Sequence, residues 1–465
     1  MEKNINNLKF IFEPKTVAVI GASKTPGKSG FNVLRNLKSM FKGKIYAVNP
    51  NAEEILGFKV YRNVKDIPDE IDTVVIATPA KVVVEVMKDC AEKGVKAAVI
   101  VSSGFSEEGE EGRKLQEELV SIIRKHGIRV AGPNTMGVLN TANGFISSLV
   151  PFRENDVIPV GNVAFIAQTG LFSGAMLYRF ASMKLGISKV AGLGNKIDVT
   201  DVEVLEYLAE DEQTKVIAMY IEGIKDGRRF IDVARKVTRK KPVIVLKGGI
   251  TEAGVKTVVS HTASLTGKLE VFEAACKQAG VLLVHNFDEL LDVVKGFAYL
   301  PIPKGNRVAL AHFTGAGCVM GADTCVKGGL RLAEFTPKTI QTVKEVTPEW
   351  HGIRNPLDSW PMIERYGTKV YDVILKAMLE DENVDAVIFC FFATQHYRDI
   401  PNLDSLKPKG KPVLFCIEGD VKVALELTEI MEAKGFPVYP FVEKASFVLS
   451  YLNKYRENSF SVRIA

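Results

Sequence analysis

The chain is poor in several features that would fix its class at once. Its six cysteines, Cys90, Cys276, Cys318, Cys325, Cys390 and Cys416, are scattered and form no CxxC pair. That pattern favours reduced, buried thiols in a cytoplasmic protein over a disulfide frame or a zinc site. No apolar run is long enough to span a bilayer, so no membrane segment is expected. The N-terminal MEKNINNLKFIFEPK has neither the apolar core nor the cleavage site of a signal peptide. An excess of one charge is also missing: 60 basic against 55 acidic residues leave a net charge of +5. Such a balance does not predict nucleic-acid binding, and it would not repel an anionic substrate. Only six histidines occur in 465 residues.

What is present reads as a soluble globular protein of two to four domains. The first stretch alternates short Val- and Ile-rich runs with helical spacing. TVAVIGAS, KIYAVNP, DTVVIATP, KAAVIVSSG and IRVAGPN are unalternated apolar runs, as expected of strands buried on both faces. The segments between them, such as AKVVVEVMKDCAEKG, have helical periodicity and end in glycine. A parallel, doubly wound sheet of Rossmann type follows from that alternation. A second α/β unit starts near GNVAFIAQTG and a third at GNRVALAHFTGAG. These two look like a repeat, because GNVAFIAQTG, NKID, KVIAMYI and KKPVIVLKGG find counterparts in GNRVALAHFTG, NPLD, DAVIFCFF and GKPVLFCIEG in nearly the same arrangement. Pro and Gly in FREN through VIPVG and in LPIPKG mark the expected boundaries.

Candidate sites lie where the strands end. The first turn, with Gly21, Ala22, Ser23, Gly27, Lys28 and Gly30, is rich in small residues between strand and helix. Backbone amides there can approach a phosphate. The GxGxxG fingerprint is absent, and the second strand ends in Asn49 and Pro50 rather than an acid. Both weigh against a dehydrogenase, and the adenosine diphosphate end of coenzyme A stays open. Ala77, Thr78 and Pro79, then Ser102, Ser103 and Gly104, then Asn134 stand at further strand ends of the same sheet. Gln168, Thr169 and Gly170 open a helix after a strand, and Thr314, Gly315, Ala316 and Gly317 do the same in the third unit. Either start can present amides and a hydroxyl to an anion.

Glu222 ends the apolar run IAMYI, at the sheet edge where α/β sites are built. His261, in VVSHTASLTG, has no neighbour at metal-ligand spacing. Small residues surround it, which suggests a mobile or closely approached loop. A carboxylate such as Glu222 would orient its ring and leave the other nitrogen free as a nucleophile. His312, two residues before Thr314, is the nearest rival.

Together VAVIGAS, VNPNAEEILG, GPNTMGVLN, FIAQTGLFSGAM, YIEGIKDGRRF, LKGGITEAGVKTVVSHTASLTG and NPLD resemble the alpha subunit of ADP-forming (NDP-forming) acyl-CoA synthetases, relatives of succinyl-CoA synthetase. The resemblance covers essentially the whole chain. It implies an α/β chain with an N-terminal Rossmann-like CoA-binding domain at 1–145 and two flavodoxin-like domains at 155–300 and 305–465. It implies an acid–thiol ligase that converts acyl-CoA, phosphate and ADP to a carboxylic acid, CoA and ATP through an acyl phosphate. His261 stands at the family's phosphorylated position and Glu222 at the position that orients it. Gln168 to Gly170 and Thr314 to Gly317 would cradle phosphate. The residues named above in the first domain would bind CoA. No metal is expected on this chain. ADP or ATP with Mg would sit on an ATP-grasp beta subunit in an α2β2 assembly. The segment after NPLD, SWPMIERYG, departs from the family's Gly-containing turn, which puts acetate in doubt and leaves a bulkier or aryl acid open. The competing reading is a CoA-binding sensor or scaffold without catalysis, which has no use for His261, Glu222 and both turns together.

Overall fold

Val74, Val75 and Ile76 sit in consecutive positions and all are fully buried, as a strand covered on both faces requires. The computed structural model describes residues 5–152, 158–168, 171–262, 267–406 and 410–464. The chain divides into two compact units, Met1–Leu290 and Leu291–Ala465. The first unit carries two sheets and the second unit one.

The first sheet runs, from one edge, Glu54–Ile55, Phe58–Tyr61, Lys44–Val48, Thr16–Ile20, Thr73–Ile76, Ala97–Ile100 and Arg129–Ala131. Apart from the short edge strand Glu54–Ile55 its pairings are parallel. Numbered along the chain without that edge strand, the order is 3-2-1-4-5-6, that of a Rossmann sheet. Helices Ala80–Lys93 and Glu110–His126 end on Gly94 and Gly127, both left-handed, the usual way to close a helix before the next strand.

The second sheet runs Leu282–Val284, Val243–Lys247, Val216–Ile221, Val160–Ala167 and Ile187–Gly192, all parallel. Its far edge is completed by the antiparallel hairpin of Val138–Asn140 and Phe145–Ile146. That hairpin follows directly on the Rossmann sheet in the chain. The sequence-based limit at residue 145 groups it with the first domain, whereas its hydrogen bonds belong to the second sheet. Buried charge joins the two domains as well: Arg129 Nε donates to Asp198 Oδ2 at 2.9 Å, and Nη2 to Glu203 Oε1 at 2.9 Å.

The third sheet, in the second unit, runs Arg331–Leu332, Arg307–His312, Ala386–Ala393, Val413–Gly419 and Val438–Tyr439, with Leu357–Asp358 also paired to Arg307–His312. Its order, 2-1-3-4-5, is the order of the five parallel strands of the second sheet, and it is flavodoxin-like. All six cysteines are buried and unpaired. Among the described residues no helix is long and apolar enough to cross a membrane.

Candidate active site

Strand ends of the first sheet enclose a cavity of about 680 Å³. Its walls include Gly21, Ser23, Gly27, Lys28, Gly30, Ala77, Thr78, Pro79, Ser102, Ser103 and Asn134. Eleven of the residues singled out in the sequence thus meet in one place. The approach is close: a Cβ on Gly30 would lie 2.0 Å from Gly21 O, so the first turn of helix Ser29–Met40 presses directly on the turn before it. Ser102 Oγ donates to Thr78 O at 2.5 Å and ties two neighbouring strand ends. Thr78 Oγ1 is buried without a partner, a group left for a ligand to satisfy. Size and this orphaned hydroxyl fit a nucleotide-bearing thiol such as CoA.

Four expected contributors stand back from the cavity wall. Ala22 is fully buried. Asn49 spends its amide on the turn, Nδ2 donating to Ala22 O at 2.7 Å, and Pro50 follows it. Gly104 donates its N–H to Glu107 Oε1 at 2.8 Å. Besides Ser29 and Val101, which adjoin residues already named, the sequence reading missed Thr135, Met136 and Leu149, which complete the wall. They lie beyond the GPN strand end, where only the path of the chain brings them back.

The second sheet gathers a different set at its carboxyl edge. Gln168 follows strand Val160–Ala167 and is buried. Its N–H donates to Tyr220 O at 3.3 Å, so that amide is taken up by the sheet and is not offered to an anion. Its side chain clamps the next turn: Oε1 accepts from Glu222 N at 2.8 Å and Gly223 N at 3.0 Å, and Nε2 donates to Gly223 O at 2.7 Å. Nε2 also donates to Asp201 Oδ1 at 3.0 Å. Lys196 reinforces the clamp, its Nζ donating to Asp201 Oδ1 at 2.8 Å and to Gly223 O at 3.0 Å. From the other side Lys247 Nζ donates to Glu222 O at 2.6 Å and to Gly248 O. Burial lowers the pKa of Lys247, against the opposing pull of the Glu222 charge.

Glu222 therefore stands on a turn held by Gln168, Lys196 and Lys247. Its Oε1 lies 3.5 Å from the Tyr220 hydroxyl. Of the holding residues only Gln168 was anticipated, and for another role. Lys247 is legible in hindsight as the lysine of LKGG. Lys196 is not, because its contact depends on a left-handed backbone at φ 51°.

Strand Val243–Lys247 leads through Gly248 and Gly249 into helix Glu252–Thr262, whose start is capped by Thr251 Oγ1 accepting from Gly254 N at 3.1 Å. His261 falls in the last turn of that helix. A loop was expected there, and the cap together with the helix formers of TEAGVKTVV explains the difference. The helix lies beside the short turn Ser106–Glu108 of the Rossmann domain. The His261 side chain, Thr169 and Gly170 lie outside the described residues.

In the second unit Thr314 caps helix Gly315–Lys327, its Oγ1 accepting from Gly317 N at 3.1 Å. Gly315 and Ala316 are exposed at the helix start. Among the described residues no group of three His, Cys, Asp or Glu is arranged to hold a metal ion.

Residues 15–141 match the CoA binding domain family, and residues 160–297 the succinyl-CoA ligase like flavodoxin domain family. Acetate–CoA ligase [ADP-forming] II of Archaeoglobus fulgidus is 53% identical over 457 residues, covering 97% of this chain and 67% of the relative. Acetate–CoA ligase [ADP-forming] II subunit alpha of Pyrococcus furiosus is 42% identical, covering 93% of this chain and 94% of the relative. The chain belongs to the ADP-forming acetate–CoA ligase family. The dinucleotide-forming acetyl-coenzyme A synthetase 1 of Ca. Korarchaeum cryptofilum, solved in complex with phosphate and ADP, superposes with a TM-score of 0.91 at 35% identity and 99% coverage of both chains. Members of the ADP-forming acetate–CoA ligase family are acid–thiol ligases, and this chain corresponds to the alpha subunit.

Proposed function

We propose that this chain is the alpha subunit of an ADP-forming acyl-CoA synthetase that carries a phosphoryl group on His261. The single observation behind the reading is the clamped Glu222 turn, one strand away from the helix that bears His261. The residues that line the first-domain cavity hold CoA. Inorganic phosphate attacks the thioester carbon, the CoA thiolate leaves, and an acyl phosphate results. The His261 ring attacks phosphorus and releases the carboxylate, with Glu222 accepting from the other ring nitrogen and balancing its charge. ADP then takes the phosphoryl group and the free imidazole returns.

Thr169, Gly170 and the Thr314–Gly317 helix start supply anion-binding groups along this route. Gln168 acts within the first unit by holding the Glu222 turn. The nucleotide and Mg belong to an ATP-grasp beta subunit, in an α2β2 assembly.

The test is phosphoryl labelling of the purified complex with its beta subunit. Acetyl-CoA, longer acyl-CoAs and aryl-CoAs are supplied with radioactive phosphate, and the label is sought as an acid-labile, base-stable phosphohistidine. His261→Ala is expected to abolish label and ATP formation while CoA binding persists. Full turnover in that variant refutes the phosphohistidine role. Glu222→Gln is expected to lose most of the label, and unchanged labelling removes Glu222 from the mechanism.

A further inference from the structure

His312 is absorbed by none of the chemistry above, yet it is 1% exposed at the end of the strand that feeds helix Gly315–Lys327. Its carbonyl accepts from Ser359 N at 2.9 Å and from Ser359 Oγ at 3.2 Å. Its Nδ1 accepts the N–H of Thr314 at 3.0 Å. That bond requires Nδ1 to carry no proton, which puts the proton on Nε2. Nε2–H then donates to Glu418 Oε1 at 3.2 Å. The ring lies directly under the first helical turn: a Cβ on Gly317 would come within 2.1 Å of His312 Cε1. Only glycine at 317 lets the turn rest on the imidazole.

The bonding of the turn is then divided. Thr314 N–H points inward to His312, and Gly317 N–H is spent on Thr314 Oγ1. The exposed Gly315 and Ala316 contribute the two amides between them, the first groups of the helix that an anion would meet.

We infer that His312, locked as the Nε2–H tautomer by Glu418, is a positioning residue for the phosphate-binding start of helix Gly315–Lys327. Its Nδ1 holds the Thr314 amide inward and so aims the amides of Gly315 and Ala316 at the anion. This rests on the reading of Thr314–Gly317 as a phosphate site.

The experiment is steady-state kinetics of the alpha–beta complex in the acyl-CoA to ATP direction, with KM for phosphate and KM for acyl-CoA measured separately and melting temperatures recorded. His312→Phe keeps a ring but removes Nδ1. It is expected to raise KM for phosphate about tenfold, the loss of one hydrogen bond to a charged group, and to leave KM for acyl-CoA within about twofold, well under the effect of one such bond. His312→Asn offers Oδ1 near the position of Nδ1 and is expected to restore phosphate KM to near the parent value. His312→Gln can reach Glu418 but offers Thr314 no acceptor, and is expected to behave like His312→Phe; it decides the matter if the Phe variant does not fold. Gly315→Pro removes one proposed anion donor at a position where proline is compatible with a helix, and Thr314 before it is already extended at φ −143°, ψ 147°, as a following proline requires.

If Gly315→Pro raises phosphate KM but His312→Phe and His312→Gln do not, the positioning role is refuted and the phosphate site stands. If Gly315→Pro also leaves phosphate KM unchanged, the phosphate site itself is refuted and the positioning role with it. Equal damage in the Asn, Gln and Phe variants refutes the role assigned to Nδ1.

Discussion

A carboxylate is useful to a nucleophilic histidine only if it is held, and Glu222 is held through its backbone. Lys247 joins the Glu222 and Gly248 carbonyls, so one ammonium links the acid-bearing turn to the entry of the His261 helix. Lys247→Met keeps much of the side-chain volume and deletes both bonds. It is expected to slow His261 phosphorylation by about 10- to 100-fold, as a displacement on the order of 1 Å does at a reacting centre, with CoA binding unchanged. Labelling at the parent rate would show that the link is dispensable. Residues of this kind are hard to read in a sequence. Glycines and small polar residues at strand ends pointed to the cavity of the first sheet, because a ligand that approaches the backbone there needs small side chains. Lys196, Met136 and Leu149 act through neighbours distant in the chain, and nothing local distinguishes them from an ordinary lysine and core residues.

Among the elements, the internal repeat extends to single atoms. Lys241 donates to Leu208 O at 2.6 Å and Asp211 O at 2.6 Å, closing the end of helix Asp201–Glu210. Lys411 donates to Leu379 O at 2.9 Å and Asp381 O at 2.5 Å, closing helix Val370–Glu380 in the same way. Both lysines open the KPV motif that the two copies share, so this correspondence was legible as soon as the copies were aligned. Burial lowers the pKa of both. Lys241→Met and Lys411→Met each strand carbonyls at a helix end, and each is expected to destabilise its own unit by about 1–3 kcal/mol. Calorimetry of the two variants should move different parts of the unfolding profile, and identical profiles would contradict the division into two units. The helix over Glu252–Thr262 was less legible. A loop was expected from the small residues after His261, whereas the capping Thr251 before it governs where the helix starts.

For the whole molecule, acid sensitivity follows from carboxylates in both units. Burial alone would raise the pKa of Asp211, Asp381 and Asp385. Hydrogen bonds from Lys189 and Thr214, from Thr339 and Thr336, and from Arg307 respectively outweigh it and hold all three low. A folded-state pKa below the unfolded value of about 3.9 contributes stability that is present above that pH and is lost as pH falls through the folded value. Melting temperature is therefore expected to change little from pH 7 to about 5 and to drop below about pH 4. A melt that stays level to about pH 3 would show that these bonds do not survive into the stability of the protein.

The hairpin of Val138–Asn140 and Phe145–Ile146 has an implication for ancestry. The chain leaves the Rossmann sheet and at once lends two strands to its neighbour, covering the edge of Ile187–Gly192. An exchange of genes that cut after the hairpin would leave one partner with a dangling ribbon and the other with a bare, sticky edge. A cut that keeps both sheets whole has to fall between Ala131, the end of the last Rossmann strand, and Val138.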